Sequence, residues 1–377
     1  MAHKTLHITH TDIRTDSRIL KEMGALAAHG YEVNGIGVVH EEGAKESEIN
    51  FATTIKSVKL FTRHLTLIPR TLRHALSICE LTVKTLPEVL RQKPDVVHCH
   101  DTLALPLGVI AKLFHKTKVI YDAHELESNR NGITKFQGLL TSCAEKLLWK
   151  YIDALIVVSP SIANWYNTNI GFKKTEIILN SPLFEKNETG NSDYLRTNFN
   201  IPSQQKVFIY IGILGHGRGI ELITEAFTQT GVTSHVVFLG YGELADKLHQ
   251  VSKEYKNVHI HSAVPHSKVV EIAKSSDFGL CLIENVSLSD YYCLPNKLFE
   301  YCFSDIPVLA SNFPDIKEVI SRYNIGETCS LNVNSIKEAI IRLESSTGSP
   351  KFSNLDALSW QAQEQKLISL YRNILEK

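Results

Sequence analysis

The stretch Ser289-Asp-Tyr-Tyr-Cys-Leu-Pro-Asn-Lys-Leu-Phe-Glu-Tyr-Cys-Phe-Ser304 changes character in its middle, from polar loop to apolar helix. Pro295 suits a first helical turn, where its missing N–H has no intrahelical partner to lose. Beyond it, Leu298, Phe299, Tyr301 and Cys302 bury one face while Lys297 and Glu300 stay off it. The open N–H groups and positive dipole end of such a helix attract anions, and Lys297 adds a full charge one turn in. A phosphate fits there, and Glu300, a turn deeper, can accept hydrogen bonds from a diol. The plain alternative is an ordinary helix with a solvated Lys and Glu.

Working outward, Leu294-Pro-Asn-Lys-Leu-Phe-Glu-Tyr301 is followed by Ile306-Pro-Val-Leu-Ala-Ser311. The pair closely resembles the nucleotide-sugar signature of family 4 retaining glycosyltransferases, and specifically a Leu-Pro-Asn-Lys-Leu-Phe-Glu-Tyr branch. That resemblance implies an α/β chain of the GT-B fold, with two Rossmann-like domains facing across a cleft. It also implies that Leu294, Asn296, Lys297 and Leu298 meet the donor's diphosphate and sugar, and that Glu300 holds the nucleotide ribose. Many members carry a further Glu eight positions before Glu300, where this chain has Tyr292.

Upstream, Val207-Phe-Ile-Tyr-Ile211 reads as a strand that enters the loop Gly212-Ile-Leu-Gly-His-Gly-Arg-Gly219 ahead of a helix at 220–227. Its four glycines let backbone approach a ligand, and Arg218 at the helix start can neutralise phosphate charge. The loop looks like the family's Gly-x-Leu-x-x-x-Lys/Arg-Gly element, which makes Gly215 a donor contact and Arg218 the diphosphate cation. The second Arg common near its start is Ile213 here. His235 to Glu243 is a strand ending in Gly240-Tyr-Gly242, and the resemblance sets Gly240 and Tyr241 beside the nucleotide and the backbone near Val264 beside the base.

The first half opens with a strand at 5–9, a helix at 17–29 and a strand at 31–39, a βαβ start. The connection Asp12-Ile-Arg-Thr-Asp-Ser-Arg18 lacks the glycines of a dinucleotide loop, which demotes a dehydrogenase. Asp12, Arg14 and Arg18 either line an acidic acceptor's site, the arginines by bidentate contacts, or form a charged, capped first turn. Asp95-Val-Val-His-Cys-His-Asp101 is a buried strand running to its ligand-bearing edge, so His100 and Asp101 should face the cleft. His98 and His100 share a face, yet no third metal ligand stands at sensible spacing, and no metal site is expected. Val119 to Glu125 repeats the plan and ends in Asp122, His124 and Glu125. Here the resemblance supplies a strand-end His that touches the donor sugar near the reacting carbon, so His124 joins Arg218 and Lys297 as a catalytic candidate and Glu125 lines the acceptor side.

At 377 residues the chain suits two domains. The boundaries expected are an acceptor domain at 1–184, a polar linker at 185–205, a nucleotide-sugar domain at 206–354 and a helix at 355–377 that returns to the first domain. Forty Lys and Arg balance forty Asp and Glu, which argues against duplex nucleic acid as a partner. Seven scattered cysteines without a C-x-x-C pair, and no apolar signal ahead of His3-Lys4, point to a reducing cytoplasm. Residues 56–93 interleave eight Lys and Arg with leucines against Glu80 and Glu88, which suits either a solvated helix or an amphipathic segment lying on an anionic membrane surface.

The resemblance covers nearly the whole chain, most specifically 205–315 and least so 40–94. It implies glycosyl transfer from a nucleoside diphosphate sugar, uridine first, to a saccharide or lipid-linked saccharide hydroxyl, with retention and no cofactor. The setting it suggests is assembly of a bacterial surface polysaccharide or glycolipid. No Asp-x-Asp pair occurs in the cleft-facing stretches, in keeping with metal independence. A sugar-nucleotide epimerase using Asp101, His124 and Glu125, and a silent nucleotide-sugar-binding subunit, are the competing readings.

Overall fold

Strands that are apolar along their whole length need cover on both faces, which parallel sheets flanked by helices provide. The computed structural model describes residues 2–39, 53–183, 193–346 and 352–376. Among these, the first half contains β1 (Lys4–Ile8), α1 (Ser17–Ala28), β2 (Glu32–Val38), β3 (Thr54–Val58), α2 (Arg70–Gln92) and β4 (Val96–His100). It continues with α3 (Leu105–Phe114), β5 (Lys118–Ala123), α4 (Lys135–Leu148), β6 (Ala154–Val157), α5 (Pro160–Asn169) and β7 (Thr175–Ile177). The described strands form one parallel sheet in the order β3-β2-β1-β4-β5-β6-β7.

The second half repeats the scheme: α6 (Tyr194–Phe199), β8 (Val207–Ile211), α7 (Ile220–Phe227), β9 (His235–Gly240), α8 (Ala245–Glu254), β10 (Val258–Ser262) and α9 (His266–Ala273). Then come β11 (Phe278–Cys281), α10 (Leu288–Tyr291), α11 (Asn296–Phe303), β12 (Val308–Ser311), α12 (Pro314–Tyr323), β13 (Gly326–Cys329), α13 (Val333–Glu344) and α14 (Trp360–Leu375). Its described sheet runs β10-β9-β8-β11-β12-β13. Strand order reverses at β1/β4 in one sheet and at β8/β11 in the other, the two places where such folds keep their ligands.

The chain divides into two compact units, residues 1–179 with 363–377, and residues 180–362. The dividing point thus falls ahead of the stretch 185–205 read as a linker, of which 185–192 lie outside the described residues. The rest of that stretch is structured. Helix α6 buries Leu195, and Arg196 pairs with Asp277 at 2.7 Å, so this segment belongs to the second unit. A six-residue helix with a single buried leucine carries too little periodicity to be read from sequence.

From Gln363 onward α14 is part of the first unit. Leu367, Ile368, Leu370, Tyr371 and Ile374 are buried, the Gln363 side chain accepts a hydrogen bond from the Leu179 N–H at 3.2 Å, and Lys366 donates to the Ile177 carbonyl at 3.1 Å. No described helix is long and apolar enough to cross a membrane.

Candidate functional site

In the second unit, α11 begins directly after Pro295 and buries Leu298, Phe299, Tyr301 and Cys302 completely. Tyr301 fixes its position. The phenol oxygen accepts the Ile211 N–H at 3.0 Å and lies 3.2 and 3.1 Å from the carbonyls of Ile209 and Leu280, to which its proton is donated, so it bridges β8 and β11 where their pairing ends. The ring lies flat on Gly279, where a Cβ would fall 2.3 Å from the ring carbon. This glycine is what lets the helix sit close to the strand.

The first turn of α11 therefore opens at the switch point of its sheet. Lys297 holds its ammonium 3.7 Å from the centre of the Tyr210 ring, and the Tyr210 hydroxyl donates to the Ile213 carbonyl at 2.9 Å. Arg218 stands 3.7 Å from the nearly buried carboxylate of Asp290, which accepts the Ser287 hydroxyl proton at 2.6 Å. Glu300 is buried in the second turn, Leu294 is buried ahead of the helix, and Asn296 is exposed at its first position.

The glycine-rich loop differs from its sequence reading. A Cβ at Gly219 would fall 1.9 Å from the Leu282 carbonyl oxygen, and one at Gly240 1.9 Å from that of Gly212. These glycines serve chain-on-chain packing before any approach to a ligand. The Gly219 N–H is also taken, by Glu284 at 3.1 Å. Leu214 donates to the Tyr241 carbonyl at 2.8 Å, which ties the loop carrying Gly215 to the Gly240-Tyr-Gly242 turn. The side chains of Tyr241 and Ile213 are exposed, while Val264, just past β10, is half-buried.

At the first unit's switch point four residues expected to line a cleft are buried, Asp12 and Asp101 among them. Arg18, expected to grip an acceptor, is fully buried: Nη2 and Nε donate to the two Asp122 oxygens at 2.9 and 3.2 Å, Nη1 donates to the Ile178 carbonyl at 2.9 Å, and Glu22 lies 3.2 Å from Nε. His100, expected to face a cleft, is also fully buried. Arg18 is buried because α1 packs its charged first turn against the sheet, and His100 because it stacks among His7, His98 and His124. Arg14 and Asp12 form a bidentate pair at 2.8 and 3.0 Å, and Asp12 caps the turn by accepting the Arg14 N–H.

His124, Asp101 and Glu125 reach the strand ends. His124 Nε2 lies 3.2 Å from Asp122 and 3.0 Å from His100 Nδ1. Burial disfavours the imidazolium, but Asp122 and Asp101 outweigh it and push the His124 pKa up to about 10. It is therefore a cation at neutral pH. Asp101 sits between His10 at 3.6 Å and His124 at 4.0 Å, with its backbone at φ +65°, a strained setting for a non-glycine residue. Burial opposes its ionisation, yet the two histidines hold its pKa below the usual carboxylate range. Glu125 is exposed.

The structure thus joins Lys297 to Tyr210, Arg218 to Asp290, and His124 to Asp122, Asp101 and His100. Asp290 and Tyr210 escaped sequence reasoning because nothing local marks them. Glu22 carried one signal, its i,i+4 spacing from Arg18 on a helix. The third and fourth side chains missing beside His98 and His100 are His7 and Glu22.

Residues 18–181 match the model described as Glycosyltransferase Family 4, and residues 191–356 the model described as Glycosyl transferases group 1. Two parallel-sheet units matched in this way define a glycosyltransferase of the GT-B type. Within that class the chain is family-4-like. It is 22% identical over 372 residues to chitobiosyldiphosphodolichol beta-mannosyltransferase of Kluyveromyces lactis, an alignment that covers 87% of this chain and 77% of that one. Among solved structures it resembles sucrose-phosphate synthase from Thermosynechococcus elongatus, with a TM-score of 0.78 at 16% identity over 99% of both chains. It also resembles Anabaena HepE in complex with UDP, with a TM-score of 0.69 at 11% identity over 99% of this chain and 98% of that one.

Proposed function

We propose that the second unit binds a nucleoside diphosphate sugar, uridine-linked, and that the chain transfers its glycosyl group to an acceptor hydroxyl with retention. The observation that carries this reading is the first turn of α11 at the β8/β11 switch point, with Lys297 and Arg218 beside it. Departure of the nucleoside diphosphate is the hard step, because negative charge accumulates on its oxygens. A helix N-terminus and two cations aimed at that charge stabilise the transition state more than the ground state, by as much as 2.7–4 kcal/mol for each strong donor. A metal at the diphosphate has no role in this scheme, which the chain's own cations carry. Glu300 takes the ribose, and Gly215, Gly240, Tyr241, Val264, Leu294, Asn296 and Leu298 complete the donor contacts. UDP is favoured because a fold relative was solved with it.

The first unit offers His124 and Glu125 to the reacting partners, with the buried Asp101 beside His124. Imidazolium character at His124 supports a role in steadying the sugar hydroxyls or the departing oxygen. Retention rests on the resemblance of the donor signature, and so does a place in surface polysaccharide or glycolipid assembly at the cytoplasmic face of a membrane. Support for membrane contact comes from exposed Leu67, Leu72, Leu76 and Val83 around α2. The basic charge there is smaller than it looks in sequence. Lys56 and Arg91 pair with Glu88, Lys84 pairs with Glu80, and Arg63 turns inward to donate to the His10 carbonyl.

Transfer of label from a radiolabelled UDP-sugar to an acceptor tests the reading. Glu300→Ala and Arg218→Ala should each lose most of the transfer. Near-normal turnover by either variant, or label recovered only in an epimerised nucleotide sugar, would overturn it.

A further inference from the structure

Three imidazoles stack along the switch-point strands of the first unit. His7 on β1 stands opposite His98 on β4, with rings 4.6 Å apart, and His100 follows His98 at 4.4 Å. Alternation puts His98 and His100 on one face of β4, and parallel pairing brings His7 alongside. All three are fully buried, as is Glu22 on α1. Buried polar atoms almost always find partners. Here His7 Nε2, His98 Nε2 and both Glu22 carboxylate oxygens have no hydrogen-bond partner among the described residues.

The opposite ring nitrogens are held. His7 Nδ1 bonds His100 Nε2 at 2.9 Å, and His98 Nδ1 bonds the Tyr371 hydroxyl at 2.8 Å. Metal-bound imidazoles show this arrangement: one nitrogen for the ion, the other fixed by a partner that sets the tautomer. One ligand atom from each of His7, Glu22, His98 and His100 lies within 4.8 Å of all the others, and His98 Nε2 is 3.7 Å from Glu22 Oε2. Two ligands about 2.1 Å from a tetrahedral ion stand roughly 3.4 Å apart, a spacing that the His98–Glu22 pair nearly has and that the others reach by closing from at most 4.8 Å.

We propose that His7, His98 and Glu22, backed by His100, hold a divalent transition-metal ion of the zinc kind inside the first unit. Two imidazole nitrogens with a carboxylate suit zinc and disfavour magnesium or calcium, which take oxygen ligands. Burial disfavours a charge on the three imidazoles, and the proton that the His124–His100–His7 hydrogen bonds leave on His7 Nε2 departs as the ion enters, each ring of the row shifting tautomer and His124 ending neutral. Arg18 pairs with Asp122 and also lies 3.2 Å from Glu22 Oε1, which leaves Oε2, the oxygen nearer His98, for the ion. The ion braces β1, β4 and α1 behind the strand ends, and glycosyl transfer does not run through it.

The test uses untagged full-length protein grown in zinc-supplemented medium, desalted and assayed by inductively coupled plasma mass spectrometry. About one zinc per chain is expected, in keeping with a single tetrahedral site. Glu22→Gln and His98→Gln should fall to the buffer background while keeping wild-type circular dichroism. Cobalt-grown wild type should show ligand-field bands of nitrogen and oxygen ligation without thiolate charge transfer. Metal-free wild type, full zinc in either variant, or a thiolate band from the cysteines would overturn the proposal. If both variants fail to fold, zinc content and the cobalt spectrum of wild type decide it alone.

Discussion

Lys297→Met removes a charge while keeping most of the side-chain stem, which makes it the sharpest probe of the donor site. The ammonium stands 3.7 Å above the Tyr210 ring, and a Cβ on Gly212 would be 3.6 Å from it, so the side chain runs across the end of β8 rather than into solvent. Its pairing with the ring is worth ~0.5–2 kcal/mol and leaves the net charge available to an incoming anion. Arg218 differs, because Asp290 lies 3.7 Å away and offsets part of its charge. At that separation two unit charges interact by about 1 kcal/mol in water and about 4 kcal/mol at an effective dielectric of 20. Lys297 should therefore carry the larger share. Loss of one preorganised donor costs about 10²–10³ in rate, or ~2.7–4 kcal/mol. We expect Lys297→Met to lose that much kcat/KM and Arg218→Ala to lose distinctly less. The assay is initial-rate transfer of labelled sugar, with UDP affinity measured by calorimetry on the same preparations. Folded Lys297→Met protein with kcat/KM and UDP affinity close to wild type would refute the reasoning.

Three further outcomes follow from particular contacts. Tyr301→Phe strands the Ile211 N–H between β8 and β11 and should destabilise the protein by about 1–3 kcal/mol in urea unfolding, whereas an unchanged midpoint would mean that the bridge contributes nothing. Arg18→Met leaves buried Asp122 and Glu22 with His124 alone to balance them and should cost about 3–5 kcal/mol of stability; a rise in acceptor KM with stability intact would return Arg18 to the acceptor site. His259 is lowered to a pKa of about 4 by burial and by His235, whose Nδ1 lies 2.8 Å away. A folded pKa below the unfolded value means that stability present above about pH 6.5 is lost as pH falls through 4. The melting temperature should therefore decline across that window, and His259→Asn should flatten the decline; an identical acid limb in the variant would dismiss the linkage.

Much of the fold was legible because it depends on local pattern. Runs such as Val207-Phe-Ile-Tyr-Ile211 and Ala154-Leu-Ile-Val157 alternate with helical stretches, and that pattern admits few solutions other than helix-covered parallel sheets. The stretches proposed as a donor site could be read for the same reason: each is contiguous, at 212–219 and 294–301, so residue order already places the cations beside a helix start. The linker was misjudged because α6 spans only six residues, and four of the acceptor residues were misjudged because exposure is a tertiary property.

By itself, then, the chain's order of residues determined two α/β halves and a helix start flanked by cations in the second. Only the folded molecule decided where the charges of the first half go. Arg18 and Asp122 are 104 residues apart, and His7 and His100 are 93 apart. Their meeting depends on β1 pairing with β4 and β4 with β5, and on α1 packing its charged turn onto that sheet. Hydrophobic patterning specifies that the strands are buried, and the order in which they pair specifies which polar side chains are buried with them.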